Sequence, residues 1–317
     1  MTRCVALTGG VGGAKLALGL SHVLAPDELL IVANTGDDFE HLGLTICPDI
    51  DTVLYTLASI VNPETGWGRA EESWRVLEAL DTVGGDSWFR LGDKDIALHL
   101  TRAQRLATGH TLSEITAELS QQFGVRHRIL PMSDRPVRTM VTTDQGELPF
   151  QEYFVKNRCE PRVSGFRFEG IETAKPHPNL LKALKDPALE AVVICPSNPF
   201  ISIDPILGLP GLKSSLEDCP APVIAVSPIV GGKALKGPAS KMLHELDQKS
   251  DATAIAEHYD DLLDGFVIDR EDRELEDELS TDTRRVCVTQ TVMRSLEDRI
   301  ALARDVLEFG AAIRASR

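Results

Sequence analysis

The stretch LTGGVGGAKLALGL, residues 7–20, decides the fold of this chain of 317 residues. The apolar run at residues 4–7 predicts a buried strand, and the apolar residues within 14–20 predict a helix. A strand, a glycine-rich loop and a helix N-terminus in this order form an anion site, because backbone N–H groups and the helix dipole both point into the loop. We expect a phosphate group to bind here; the alternative is a tight turn without a ligand.

Neither of the two common phosphate-binding motifs fits this loop. A Walker A loop requires Gly-Lys followed by Ser or Thr, whereas Lys15 lies between Ala14 and Leu16. The dinucleotide motif requires Gly-x-Gly-x-x-Gly, and counting from Gly10 places Lys15 at the last glycine. The loop therefore indicates a phosphate without indicating which compound carries it, and it argues against an NAD(P) oxidoreductase.

Composition and charge narrow the class of protein. The net charge of −15 argues against nucleic acid as a partner, because no basic surface is available to displace phosphate counterions. No apolar run approaches about 18 residues, the length of a membrane span, and the glycine loop lies too near the N-terminus to leave room for a signal peptide. We expect a cytoplasmic protein that binds small molecules and neither nucleic acid nor membranes. The six cysteines show no metal-binding spacing, so we expect free thiols.

Apolar runs alternate with helical segments along the chain. The predicted strands cover residues 5–8, 29–34, 191–195, 222–227, 265–269 and 285–289. This alternation predicts an α/β fold with a doubly wound, mostly parallel sheet. Ligands of such sheets bind outside the carboxyl ends of the strands. Polar, glycine- or proline-rich loops follow several of these strands, so we expect the ligand site at that edge.

Residues 61–169 interrupt this alternation, and we assign them to an insertion. Its first part, 61–123, has a helical pattern, and its second part, 124–169, has short alternating runs that predict a small antiparallel β extension. Core-like strands resume near residue 190, so we assign residues 1–60 and 170–317 to one nucleotide-binding core.

The stretch 34–57 places four carboxylates at two junctions between loops and helices. Asp37 and Asp38 follow the second predicted strand, and Asp49 and Asp51 open the next helix. Such carboxylates can hold a divalent cation with one or two ligands each and leave positions for water and phosphate oxygen. All four carboxylates are therefore candidates for holding such a cation. The alternative is that Asp49 or Asp51 caps the helix.

Three further segments concentrate polar groups. Residues 87–102 place Arg90 and Asp93 beside Trp88, a mixture that favours a flat heteroaromatic ligand. Residues 195–211 and 227–241 offer hydroxyl, amide and lysine donors to a phosphate. The full set of candidate nucleotide and phosphate ligands is Gly9, Gly10, Gly12, Gly13, Lys15, Ser197, Asn198, Ser202 and Lys236.

The motifs GGVGGAK, NTGDD, CPDIDTVLYTL, GWG, RLGDKD, LPMSD, PSNPFISI and SPIVGGKALKGPA resemble the 2-phospho-L-lactate transferase family of coenzyme F-420 biosynthesis in order and spacing. The resemblance runs nearly end to end and implies a Rossmann-like core, a helical insertion and a Mg²⁺-dependent transfer. In that family the terminal ribityl hydroxyl of 7,8-didemethyl-8-hydroxy-5-deazariboflavin attacks the acyl-side phosphorus of a guanosine diphosphate ester. GMP leaves, and a phosphodiester remains.

The resemblance also implies roles for individual residues. Asp51 and Arg90 match the positions that hold the deazaflavin, with Arg90 in place of a lysine of family members. Trp88 and Asp93 complete the predicted deazaflavin site, which the insertion covers. Lys15 and Lys236 would offset charge on the leaving GMP. The candidate metal ligands are Asp37, Asp38 and Asp51. The predicted catalytic residues are Asp38, Asp51 and Lys236.

The acid of the donor ester and the class of protein each have alternatives. Relatives use phosphoenolpyruvate, 2-phospholactate or 3-phosphoglycerate esters, and the GWG…ESW stretch favours phosphoenolpyruvate because it looks like that of bacterial members. The same superfamily includes nucleotide-sugar-binding metabolic regulators that perform no such transfer. The aromatic insertion with RLGDKD favours the transferase.

We expect a homodimer.

Overall fold

The structure, a computed structural model, describes residues 1–234 and 238–316. Its strands are β1 (Cys4–Thr8), β2 (Leu29–Ala33), β3 (Phe39–His41), β4 (Leu44–Ile46), β5 (Arg128–Pro131), β6 (Arg138–Thr143), β7 (Gly146–Pro149), β8 (Val163–Glu169), β9 (Ala191–Ile194), β10 (Val223–Val226), β11 (Ile229–Val230), β12 (Lys233–Ala234), β13 (Gly265–Asp269) and β14 (Arg285–Thr289).

The α-helices are α1 (Gly10–Val23), α2 (Pro48–Leu57), α3 (Arg75–Thr82), α4 (Asp93–Ala107), α5 (Leu112–Gln122), α6 (Pro178–Leu184), α7 (Asp204–Leu207), α8 (Leu212–Glu217), α9 (Ala239–Glu245), α10 (Ala252–Tyr259), α11 (Glu276–Leu279) and α12 (Leu296–Ala315). Two π-helical turns cover Glu152–Lys156 and Pro199–Ile203, and two 3₁₀ segments cover Asp260–Leu262 and Arg270–Leu275. No helix within residues 1–234 and 238–316 is long and apolar enough to cross a membrane.

Seven parallel strands form the central sheet in the order β14-β13-β10-β9-β1-β2-β5. Successive side chains of a strand point to opposite faces, so Val5 and Leu7 enter one apolar core and Cys4 and Ala6 enter the other. Helices α2 and α12 pack on α1 over the second face. The predicted doubly wound α/β fold is confirmed, and its strand order reverses between β1 and β9. That reversal is the switch point where ligands of such sheets bind.

The edge strand β5 belongs to the central sheet, where it pairs in parallel with β2 through partners such as Ile31 and Ile129. Residues 128–131 therefore lie in the core sheet, although we expected antiparallel strands in this part of 61–169. An alternating pattern shows which side chains are buried and does not show which strand is the partner. The antiparallel extension consists of β7-β6-β8.

Close packing explains two of the loop glycines. A Cβ at Gly12 would lie 2.3 Å from the Pro196 carbonyl oxygen, and a Cβ at Gly13 would lie 2.1 Å from the Thr8 Oγ1 atom. Gly10 has a φ of +63°, a conformation that favours glycine. Because these glycines carry no side chains, α1 starts in direct contact with the segment that follows β9. This contact lies at the switch point between β1 and β9.

Candidate active site

The carboxyl edge of the sheet brings together the loops after β1, β2 and β9. The Gly9 N–H donates to Ser197 Oγ at 3.2 Å, and the Ser197 hydroxyl donates back to the Gly9 carbonyl at 2.8 Å. Gly10 and Gly12 are partly exposed at the start of α1, whereas Gly9 is buried. The first-turn amides of a helix have no partner within the helix, so this end of α1 presents donors to the switch point.

Asn34, which follows β2, connects three segments of the site. Its Nδ2 donates to Asp49 Oδ2 at 2.9 Å and to the Ile201 carbonyl at 3.1 Å, and its Oδ1 accepts from the Gly36 N–H at 2.7 Å. Both ends of this buried amide are thus used within the protein. Asn34 holds the loop after β2 against α2 and against the π-helical turn after β9.

Asp49 links the first turn of α2 to the start of α1. Its Oδ1 accepts the Gly10 N–H at 2.7 Å, and its Oδ2 accepts from Asn34. Burial raises its pKa to about 6, against the opposing effect of these two hydrogen bonds. Cys47 occupies the N-cap position of α2 and makes no side-chain cap there, so neither Asp49 nor Asp51 caps this helix.

Asp37 and Asp38 are buried, and the Oδ1 atom of each has no hydrogen-bond partner among the described residues. Burial raises the pKa of Asp38 to about 8, against the opposing effect of the Arg138 and Arg102 charges and of Cys47. The pKa of Asp37 is raised by burial and by the neighbouring Asp49 carboxylate. Ionised carboxylates in such surroundings need a cation close by. These hard oxygen donors fit a divalent cation such as Mg²⁺.

The carboxylates alone do not complete a metal site. Among the described residues, no group of three or more His, Cys, Asp or Glu side chains is arranged to hold a metal ion. Mg²⁺ is usually held by one or two carboxylates together with water and substrate phosphate. The donor set therefore fits a cation that arrives with a phosphate compound.

Asp51, a candidate for both metal and deazaflavin, is buried in an ion pair with Arg102 of α4. The Arg102 Nη2 atom contacts Asp51 Oδ1, and its Nη1 atom donates to Oδ2 at 3.1 Å. His99 Nδ1 lies 3.8 Å from Asp51 Oδ2. Helix α4, which lies within the insertion, thus supplies the ion-pair partner of Asp51.

The predicted deazaflavin residues occupy two separate surroundings. Trp88 packs at 5.3 Å from His41 and 6.0 Å from Phe39, measured between ring centroids, on the β3–β4 hairpin. Arg90 is exposed, with its guanidinium 4.6 Å from the centre of the Trp74 ring. We call Trp88, Arg90 and the aromatic rings that contact them the rim; Asp51 instead contacts Arg102 of α4.

Asp93 caps α3. Its Oδ2 accepts from the Ser73 hydroxyl at 2.6 Å and from the Arg75 N–H at 3.3 Å, and its Oδ1 accepts from the Val76 N–H at 3.1 Å. A carboxylate at a helix N-terminus satisfies free amides and favours the helix dipole. These contacts account for Asp93 without a ligand, and its role toward the deazaflavin stays a prediction.

The other phosphate candidates lie around the same edge. Lys15 Nζ donates to the Met293 carbonyl at 3.4 Å, and Asn198 Oδ1 accepts the Phe200 N–H at 3.0 Å. Ser202 is buried, and its Cβ lies 2.6 Å from the Cβ that Gly9 would carry. Lys236 lies outside the described residues.

Arg102 is the residue of this site that the sequence analysis missed. Helix α4 buries Asp95, Leu98, His99 and Arg102, a stripe at helical spacing that contains three ionisable side chains. Ionisable residues at the apolar positions of an amphipathic helix are rarely buried unless they are paired. That pattern is visible in the sequence and would have indicated a buried polar network.

The fold and the site define an α/β protein with a phosphate-type loop at the switch point. A solved UPF0052-family structure from Bacillus halodurans has the same overall fold, with a TM-score of 0.61 and 14% identity over 97% of this chain and 99% of that one.

The family model for 2-phospho-L-lactate transferase CofD matches residues 4–303, and the chain belongs to that family. A phosphoenolpyruvate transferase of Streptomyces griseus is 39% identical over 99% of this chain and 100% of its own length. A 2-phospho-L-lactate transferase of Methanocaldococcus jannaschii is 38% identical over 96% of each chain. The protein is a transferase enzyme of coenzyme F-420 biosynthesis.

Proposed function

We propose that the protein transfers a phosphoenolpyruvyl group from its guanosine diphosphate ester to 7,8-didemethyl-8-hydroxy-5-deazariboflavin, releasing GMP, with Mg²⁺ as the cofactor. The observation that carries the proposal is the pair of unpartnered oxygens on Asp37 and Asp38, together with Asp49, which raises the pKa of Asp37 and accepts the Gly10 N–H at the start of α1. Buried acidic oxygens and helix amides together suit a diphosphate with a divalent cation.

Each group of residues has a separate part in the proposed transfer. The first-turn amides of α1 would bind the diphosphate, and Asp37 and Asp38 would hold Mg²⁺. Mg²⁺ would neutralise charge on the transferring phosphoryl group, which supplies much of the catalysis in such reactions. Asp51 and the rim that contains Trp88 and Arg90 orient the deazaflavin.

The transfer forms one P–O bond and breaks another. The terminal ribityl hydroxyl loses its proton to solvent as its oxygen bonds to the acyl-side phosphorus, and the bond between that phosphorus and the oxygen that leaves with GMP breaks. Holding the attacking oxygen about 3–3.5 Å from phosphorus, in line with the leaving oxygen, is the chief requirement on the protein.

The choice of phosphoenolpyruvate follows the name of the Streptomyces griseus relative. The Methanocaldococcus jannaschii relative is named for 2-phospholactate at nearly the same identity. The donor therefore needs a direct comparison of the phosphoenolpyruvate, 2-phospholactate and 3-phosphoglycerate esters.

The test combines purified protein, Mg²⁺ and the deazariboflavin with each ester, and identifies the products by mass spectrometry. We expect GMP release only when both substrates are present, fastest with the phosphoenolpyruvate ester. Fastest turnover with another ester would correct the donor alone. Tight binding of UDP-sugars without deazaflavin binding or GMP release would contradict the transferase and support the regulator.

A further inference from the structure

Arg102 is the largest side chain that the described residues bury completely, with 1% of its surface exposed. A guanidinium loses much hydration free energy on burial, and it remains in a protein interior only with close, well-oriented partners. Burial lowers the pKa of Arg102, whereas the Asp51 carboxylate and other nearby groups raise it. The second effect is the larger one, so the pKa lies above the ordinary arginine value. Arg102 is therefore a permanent positive charge inside the site.

The partners of Arg102 come from three elements. Its fork contacts both carboxylate oxygens of Asp51 on α2, and its Nη1 atom also donates to the Thr45 carbonyl of β4 at 3.3 Å. The same nitrogen lies 3.1 Å from His99 Nδ1 on α4. A two-pronged contact fixes the plane of a carboxylate, whereas a single ammonium contact leaves it free to rotate.

His99 completes the arrangement as an acceptor. Since a guanidinium nitrogen can only donate, His99 Nδ1 accepts in this contact and shares the two N–H groups of Nη1 with Asp51 Oδ2 and the Thr45 carbonyl. His99 thus helps to hold the guanidinium against Asp51.

We propose that Arg102 is a positioning residue for the transfer, which acts by fixing the orientation of the Asp51 carboxylate. Each carboxylate oxygen has two acceptor positions, and the fork of Arg102 occupies one position on each. In the proposed function, the deazaflavin contacts Asp51 through the remaining positions. The inference rests on the proposed function, in which Asp51 contacts the substrate.

A merely structural role makes a different prediction. If Arg102 only anchors α4 to the core, its variants lose stability, and the protein that remains folded keeps its rate and its substrate affinity. If Arg102 acts through Asp51, a charge-preserving variant keeps the fold and loses turnover, because a lysine cannot hold both oxygens.

The experiment compares Arg102→Lys with Arg105→Lys, the same change one turn further along α4. Arg105 is partly exposed, and its ion pair with Glu118 spans 3.4 Å at the surface. We expect Arg102→Lys to lower kcat about ten- to a hundredfold, as misplacement of a reacting group does, with Tm near that of the wild type. Arg105→Lys keeps the wild-type kcat. Equal kcat values for Arg102→Lys and the wild type would overturn the proposal.

A double-mutant cycle tests whether Arg102 acts through Asp51 even if Arg102→Lys folds poorly. The pair Asp51→Asn with Arg102→Met leaves no unpaired buried charge, and we expect it to be no slower than Asp51→Asn alone. A further tenfold loss in the double variant would show that Arg102 acts independently and would overturn the proposal.

A binding readout separates this inference from the proposed function. Each variant is titrated with the deazariboflavin, and binding is monitored through the fluorescence of that compound. We expect the Kd values of the single and double variants to show the same non-additivity as their kcat values. A wild type that binds the deazaflavin but forms no product with any ester would contradict the proposed function and leave the cycle measurable. A weaker Kd for Asp51→Asn together with wild-type Kd and kcat for Arg102→Lys would contradict the inference alone.

Discussion

The loop at residues 34–38 and the first turn of α2 each carry two buried aspartates, and the two regions differ in what their carboxylates contact. In the helix, Asp49 accepts from Gly10 and Asn34, and Asp51 is paired with Arg102. In the loop, Asp37 and Asp38 each keep one oxygen without a partner among the described residues. Burial alone therefore does not identify a ligand-binding carboxylate. We take the oxygens left without a partner as the candidates for binding the cation.

The largest effect is expected in the loop. Asp38→Asn should lower turnover about 10²-fold or more, because charge stabilisation of the transferring phosphoryl group is lost with the cation. The metal-free variant should be at least as stable as the wild type, since the substitution removes an ionisable group whose pKa burial raises to about 8. GMP release rates and Tm values check both statements. Wild-type turnover in Asp38→Asn would contradict the distinction between the carboxylates of the loop and those of the helix.

The helix is expected to show its effect in stability. Asp49→Asn places an amide group against the Gly10 N–H or the Asn34 amide, so one buried donor loses its acceptor. The free energy of unfolding should fall by about 1–3 kcal/mol, measured by urea denaturation. An unchanged free energy of unfolding would show that the Asp49 contacts are dispensable.

The sequence predicted more of the fold than of the site. The strand–glycine–helix order around residues 7–20 located β1 and α1, because a buried strand and an amphipathic helix have distinct periods. We attributed the same glycines to phosphate approach, which stays a prediction; a Cβ at Gly12 would also collide with Pro196, and a Cβ at Gly13 with Thr8. The contact between Gly12 and Pro196 joins segments about 180 residues apart along the chain, as the residue numbers show, and no local pattern reports it.

Side chains that share a motif also proved to have separate surroundings. Asp93 and Asp95 lie two residues apart in RLGDKD, yet Asp93 caps α3 and Asp95 is buried against the Tyr55 hydroxyl at 2.7 Å. The direction in which a helical side chain points depends on tertiary packing as well as on its spacing. The candidate site was therefore predictable as a sheet edge, but the pairing of Asp51 with Arg102 was not.

The smallest effect is a pH dependence that separates these two aspartates. Burial raises the pKa of Asp95 to about 6, so its contribution to stability is present below about pH 4, the ordinary Asp pKa, and is lost as the pH rises through 6. The Ser73 hydrogen bond lowers the pKa of the exposed Asp93, so its contribution is lost as the pH falls through that lowered value.

Tm values of metal-free protein between pH 4 and 7 check these signs. Relative to the wild type, Asp95→Asn should gain stability as the pH rises, and Asp93→Asn should lose stability over the same range. Parallel Tm curves for the two variants would contradict the assignment of Asp95 to a buried site and Asp93 to a helix cap.

The position of a bound divalent cation tests the central claim most directly. Crystals grown with GDP and Mn²⁺, which replaces Mg²⁺ and scatters anomalously, would locate the ion without an activity assay. The account predicts an anomalous peak within about 2.5 Å of a carboxylate oxygen of Asp37 or Asp38, with further ligands from phosphate and water. A peak held by Asp49, or an ion with no carboxylate of the loop among its ligands, would contradict it.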